Sequence, residues 1–82
     1  MEITRVDEMQ LGQRVRVTQI KDRMGWHANE NKPVLLHPAG LVYEGVIDRI
    51  DIDEENFVIT VDDGKRWSFH LPDDTLKVTL VS

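Results

Sequence analysis

The stretch Phe57-Val58-Ile59-Thr60-Val61-Asp62-Asp63-Gly64-Lys65-Arg66-Trp67-Ser68-Phe69-His70 decides the fold. Two runs rich in β-branched and aromatic residues flank Asp62-Asp63-Gly64-Lys65, and an Asp-Gly pair tolerates the positive φ angles of a tight reversal. The pattern predicts a hairpin. Phe57, Ile59 and Val61 alternate with Val58 and Thr60, so the first arm is apolar on both sides, as near a sheet centre. In the returning arm Trp67 and Phe69 point inward while Arg66, Ser68 and His70 point outward.

Working outward from the hairpin, Leu71 to Thr75 breaks the alternation, and Leu76, Val78 and Leu80 then mark a last strand. On the other side, Asp51 to Asn56 is a polar turn, preceded by the longest strand candidate, Leu41 to Ile52. There Val42, Val46 and Ile50 share one parity, and Tyr43 and Ile47 the other. The switch around Gly45 reads as a bend, with a bulge or a close backbone approach at the glycine. Gln13 to Ile20 follows a Leu11-Gly12 turn and alternates Val15 and Val17 with Arg14, Arg16 and Thr18. The best helical candidate, Ile3 to Leu11, is short. The expected core is Val15, Val17, Val46, Ile50, Phe57, Ile59, Val61, Trp67, Phe69, Val78 and Leu80.

Between the first two strands lies Lys21 to Gly40, irregular in composition, with Gly25, Asn29, Asn31, Pro33 and Pro38. It reads as a long loop, with Val34 to Leu36 as an apolar patch that can add a strand. Structureless stretches of this length are uncommon in compact domains and often carry function. The expected organisation is therefore all-β: one domain over residues 1–82, five strands, an N-terminal segment at 1–10 and a long loop at 21–40.

Leu11-Gly12-x-x-Val15-x-Val17, Gly45-Val46-x-x-Ile50-Asp51, Phe57-x-Ile59-x-Val61-Asp62-Asp63-Gly64 and Trp67-x-Phe69 together resemble the SH3-like small β-barrel group. The resemblance spans Leu11 to Leu80. It is a hydrophobic rhythm: short strand, long loop, long bent strand, hairpin, brief turn, final strand. It implies a five-stranded barrel with a partner surface near the long loop and the hairpin tips. Chemistry is not implied, since such folds host unrelated functions. Tudor-type cages need several aromatics at loop tips, and KOW-type RNA-binding barrels are usually basic; this chain departs from both patterns.

Composition narrows the function classes. The chain has 82 residues, a formal charge of −5 and no cysteine, which removes disulfides and thiolate metal sites. Residues 1–41 carry six Lys/Arg against five Asp/Glu, and residues 42–82 carry four against ten, so the acidity lies in the second half. Much of it sits where turns favour Asp. A negative total argues against tight sequence-independent nucleic-acid binding, which depends on neutralising phosphates. Met1-Glu2-Ile3-Thr4-Arg5 lacks the apolar core of a signal peptide, so the cytoplasm is the expected compartment.

Within the long loop, Arg23-Met24-Gly25-Trp26-His27 is the most informative segment. Trp26 reads either as a partner anchor or as a cover over the open end of the barrel, and cover is favoured because a small core lacks area. His27 and His37, with Glu30, would need to converge to hold a metal, but their spacing matches no metal signature. Asp51-x-Asp53-x-Glu55 lacks the glycine and flanking helices of a calcium loop. With no nucleophile motif or phosphate loop, no catalytic, cofactor or metal residue is assigned. The expectation is a non-enzymatic protein-binding or regulatory module, acting alone or as a small subunit of a larger complex, with homo-oligomerisation through an open sheet edge as a further option. Its candidate partner-binding residues are Arg23, Met24, Trp26, His27, Leu35 and Leu36. The alternatives are small anionic-ligand binding by a homo-oligomer, with Arg14, Arg16 or Arg23 as anchors, and RNA or single-stranded DNA binding through the Arg14/Arg16 face.

Overall fold

The computed structural model describes residues 1–81 and is all-β. Its strands are β1 (Glu2–Ile3), β2 (Arg14–Gln19), β3 (Arg23–His27), β4 (Lys32–His37), β5 (Val42–Asp51), β6 (Asn56–Val61), β7 (Arg66–His70) and β8 (Leu76–Leu80). A 3₁₀ turn, Val6–Glu8, follows β1. Six strands form one antiparallel sheet in the order β1-β8-β2-β5-β6-β7, and β3 and β4 pair separately as a two-stranded sheet. Among the described residues, no helix is long and apolar enough to cross a membrane.

The all-β expectation holds, with two corrections. The five expected strands are β2, β5, β6, β7 and β8, but β1, β3 and β4 bring the total among the described residues to eight. The sheet also stays open, because β7 and β1 end it as unpaired edges. A closed barrel would need ladder bonds between those edges. Only two residues of β1 pair with β8, so that edge is too short to close it.

The parity switch in β5 has a definite cause. Ile47 pairs with Ile59 and Arg49 with Val58, so Asp48 is an extra residue on β5. This bulge turns both Ile47 and Ile50 toward the core, three positions apart. Val46 therefore belongs to the outer face, opposite Thr60, and Ile47, 1% exposed, takes the core place expected for Val46. Gly45 plays a different part from the bulge. A Cβ there would run into the Thr60 carbonyl, with the Thr60 carbonyl carbon at 2.8 Å and Val61 N at 3.1 Å. The glycine is required by close strand approach, not by an unusual φ.

Val15, Val17, Phe57, Ile59 and Val78 are buried as expected, and Ile50, Val61, Trp67, Phe69 and Leu80 pack against them half-covered. Sheet curl brings Tyr43 of β5 within 4.9 Å (ring centroids) of Trp67 and 5.4 Å of Phe69 on β7, across the intervening β6. The open side of this curl is filled by the N-terminal segment, whose Ile3, Val6 and Met9 are all buried. Ile3 comes from β1, and the 3₁₀ turn then brings Val6 and Met9, three positions apart at its start and just past its end, to the same side. Glu8 closes that turn by accepting hydrogen bonds from Thr4 N, Thr4 Oγ1 and Arg5 N, each at 3.0 Å. Those bonds, the Thr4 backbone bond foremost, hold the Glu8 carboxyl below its ordinary value.

The close approach at Gly45 sets a first test. Gly45→Ala should lower stability by about 1–3 kcal/mol, the usual cost of overpacking, in a urea titration. Ser68→Ala, an exposed position on β7, should stay within about 0.5 kcal/mol of wild type. Similar midpoints for the two variants contradict the assignment.

Candidate functional site

Lys21 to Gly40, where the sequence predicts a long loop, is a β-hairpin, and the suspected strand at Val34–Leu36 is the middle of β4. Asn31, at φ 52°, closes the turn between the arms, a conformation asparagine tolerates. At the tip, Glu30 N donates to His27 Nδ1 at 3.2 Å, and Lys32 Nζ lies 2.7 Å from Glu30 Oε2. His27 pairs with Lys32 while His37 pairs with Arg23, so the two histidines sit at opposite ends of the hairpin. About four strand residues, roughly 13 Å, separate them, which excludes the shared metal site with Glu30.

The hairpin is fixed at its root. Gln19, the one polar side chain buried among the described residues (3% exposed), donates through Nε2 to Lys21 O at 2.8 Å and Thr75 O at 3.2 Å. Gly40 N donates to Gln19 O at 2.7 Å, and Asp22 Oδ1 accepts from Ala39 N at 2.8 Å. Arg23 Nη1 reaches Asp73 Oδ2 at 3.1 Å, with the Asp73 side chain only 13% exposed. Burial alone would raise the Asp73 carboxyl. Hydrogen bonds from Thr75 Oγ1 and N, with the charges of Arg23 and His70, outweigh it and leave the group below its ordinary value.

Beyond the root, the hairpin is left to solvent. Cross-strand pairing puts Met24 beside Leu35 and Trp26 beside Pro33, and paired residues share a face. Met24, Trp26 and Leu35 are 53%, 62% and 52% exposed, so this face is an apolar row in water. Leu36 lies on the opposite face, its side chain across Gly25, where an added Cβ would come within 2.7 Å of it. Leu36 itself remains 55% exposed. Trp26 therefore does not cover the barrel end, and the favoured reading of it as a core lid is corrected. Of the candidate residues, Met24, Trp26 and Leu35 converge on one face. Arg23 is a root contact, His27 a tip contact, and Leu36 faces away. Pro33 was missed, although it stands two positions before Leu35 and shares its parity.

The Arg14/Arg16 face is electrically closed. Arg16 opposes Glu44 across β2 and β5 and meets it at 2.9 Å, while Arg14 reaches Glu44 at 3.4 Å and Asp62 at 3.0 Å. The Asp62 hydrogen bond, more than Glu44, raises the Arg14 pKa. Farther along this face Arg66 clamps Asp48 with bonds of 2.7 and 3.1 Å, and Thr60 Oγ1 also donates to Asp48. The Arg66 bonds first, then Thr60, hold the Asp48 carboxyl low. Arg14, Arg16 and Arg23 are thus each paired with a carboxylate.

No protein family, curated protein or solved structure matches the chain.

Two outcomes follow from the site's geometry. Trp26→Ala should leave the melting temperature within about 2 °C of wild type, whereas a core lid would shift it by several degrees in a domain of this size. The low Asp73 pKa means the unfolded chain takes up that proton first. Its stabilisation is complete well above the ordinary value of 3.8 and lost as pH falls through the lower folded value. Urea midpoints from about pH 5 to about pH 2.5 should fall less steeply for Asp73→Asn than for wild type.

Proposed function

We propose that this chain is a non-enzymatic protein-binding or regulatory module whose contact surface is the β3–β4 hairpin. The observation that carries the reading is Trp26, 62% exposed, in a row with Met24, Pro33 and Leu35. Apolar area kept in water forgoes roughly 25 cal/mol per Å² of burial, and a partner covering the row recovers that energy. Tryptophan and methionine are enriched where proteins meet. A two-stranded hairpin alone is marginal in water, so the root contacts of Gln19, Asp22 and Arg23 matter: they hold the arm ready, which lowers the ordering cost of docking.

For the body we propose a relation to the SH3-like group in an open form. The strand succession β8-β2-β5-β6-β7, with a long bent β5 and an elaborated connection after β2, supports it. The pairing of Arg14, Arg16 and Arg23 with carboxylates weighs against the anionic-ligand and nucleic-acid readings, because the neighbouring negative charge offsets each guanidinium. Homo-oligomerisation through the same apolar row is the competing protein contact, and gel filtration at two concentrations separates it from a foreign partner.

The test is quantitative capture of a partner from the native host by immobilised wild type, Trp26→Ala and Leu11→Ser. Leu11 is also an exposed apolar residue, at 66%, but lies outside the hairpin. Trp26→Ala should weaken capture by more than about tenfold, as loss of a hot-spot anchor does, and Leu11→Ser should not. Equal capture by all three proteins defeats the reading.

A further inference from the structure

Away from the hairpin's apolar row, two grooves share Leu71 as a common wall. One, of about 310 Å³, lies between the N-terminal residues Glu2–Thr4 and the 71–76 segment; Ile20 supplies its exposed apolar surface, over a floor of the buried Ile3, Leu71 and Leu76. The other, of about 430 Å³, lies between the 3₁₀ turn and the β5–β6 turn, where Ile52 does the same over the buried Val6 and Leu71. Each groove has one exposed apolar residue, Ile20 at 47% and Ile52 at 54%.

The charge of the molecule is concentrated here. The two linings hold six carboxylates, Glu2, Asp7, Asp53, Glu55, Asp73 and Asp74, and one arginine, Arg5. That is −5, the formal charge of the whole chain; the other residues carry nine Lys/Arg against nine Asp/Glu. Asp7 is held by Arg5 at 2.8 Å and Asp73 by Arg23 at 3.1 Å. Glu2, Asp53, Glu55 and Asp74 are in no ion pair among the described residues.

We propose that this paired groove takes an extended segment of a partner protein in which lysine or arginine alternates with apolar residues. Charge complementarity selects the occupant. An acidic segment is repelled, and a purely apolar one would strip water from unpaired carboxylates without replacing it. In an extended chain alternate side chains point to opposite sides. Apolar residues then settle against Ile20 and Ile52, the exposed apolar side chains of the two grooves, while basic residues bring their heads to the unpaired carboxylates on the rims. The segment's backbone polarity is satisfied by solvent, since both grooves are open along the surface. The inference rests on the chain being a protein-binding module but not on the hairpin being the contact. The two surfaces adjoin, because Ile20 immediately precedes the hairpin and Asp73 holds Arg23 at its root.

The probe is a fluorescent, end-blocked peptide of roughly nine alternating lysines and valines, about 30 Å when extended. Fluorescence anisotropy measures its binding, and amide chemical shifts of the wild-type protein map it. Two control peptides carry glutamate for lysine, or serine for valine. Wild type should bind the lysine–valine peptide and neither control, with shift changes centred on Ile20, Ile52 and Leu71. Raising salt from about 0.02 to about 0.2 M should weaken binding. Ile20→Ser/Ile52→Ser and Asp53→Asn/Glu55→Gln/Asp74→Asn should each weaken it by about tenfold or more. Trp26→Ala should bind the peptide as wild type does, so failure at the hairpin is distinguishable from failure here. No binding to wild type, equal binding of the serine peptide, or shift changes confined to other surfaces would overturn the proposal. The wild-type map decides even where a multiple variant loses its fold.

Discussion

The backbone of Gly45 passes so close to the Thr60 carbonyl that no side chain fits between them, and three residues later Asp48 bulges out of the same ladder. These two features let one long strand pair with β2 on one side and β6 on the other while changing direction. The bulge also resets side-chain parity, so that Tyr43 and Ile47 before it and Ile50 after it all face inward. On the outer face the bulged residue is put to use, its carboxylate taking bonds from Thr60 and Arg66 on the next two strands. Because the sheet curls, the rings of Tyr43, Trp67 and Phe69 meet across it.

The curl explains the division between body and arm. Inside it, Phe57, Ile59, Val15, Val17 and Val78 are fully buried, with Ile3, Val6, Met9 and Leu71 closing the open side. This core includes no residue of the β3–β4 hairpin. What ties the hairpin to it is polar and local: the Gln19 amide, the Asp22 turn bond and the Arg23–Asp73 ion pair. Polar anchors of this kind set a direction without covering apolar area. Met24, Trp26 and Leu35 are therefore left in solvent by the topology.

The strands with strict alternation were legible in the sequence. Phe57 to His70 and Leu76 to Leu80 carry their inward residues at period two, and their burial follows that period. The β5 core was legible only up to the bulge, since a one-residue insertion exchanges the roles of Val46 and Ile47 and leaves no mark but mixed parity. β3 and β4 were hidden because the alternation of Met24 and Trp26 is only five residues long around Gly25, while β4 contains Pro33 and carries apolar residues on both faces. The Ile3, Val6 and Met9 triplet registered only as a short helical candidate, because a spacing of three belongs to the α-helix pattern as well and three residues are too few to mark a core segment. For the site, Trp26 and its neighbours stood out by residue type alone. Their common face required the cross-strand register, and the concentration of acidic charge around Leu71 required the fold, because its contributors come from residues 2 to 74.

The central claim is that the hairpin is an arm anchored at its root and free of duty in the core. Residue-resolved amide hydrogen exchange on the unliganded protein tests it directly, since it reports local opening separately from global unfolding. The account predicts that hydrogen-bonded amides of β3 and β4 beyond Arg23 exchange by local opening, at free energies well below those of Val17, Phe57 and Ile59, which exchange only with global unfolding. Equal protection across the hairpin and these core strands would contradict it.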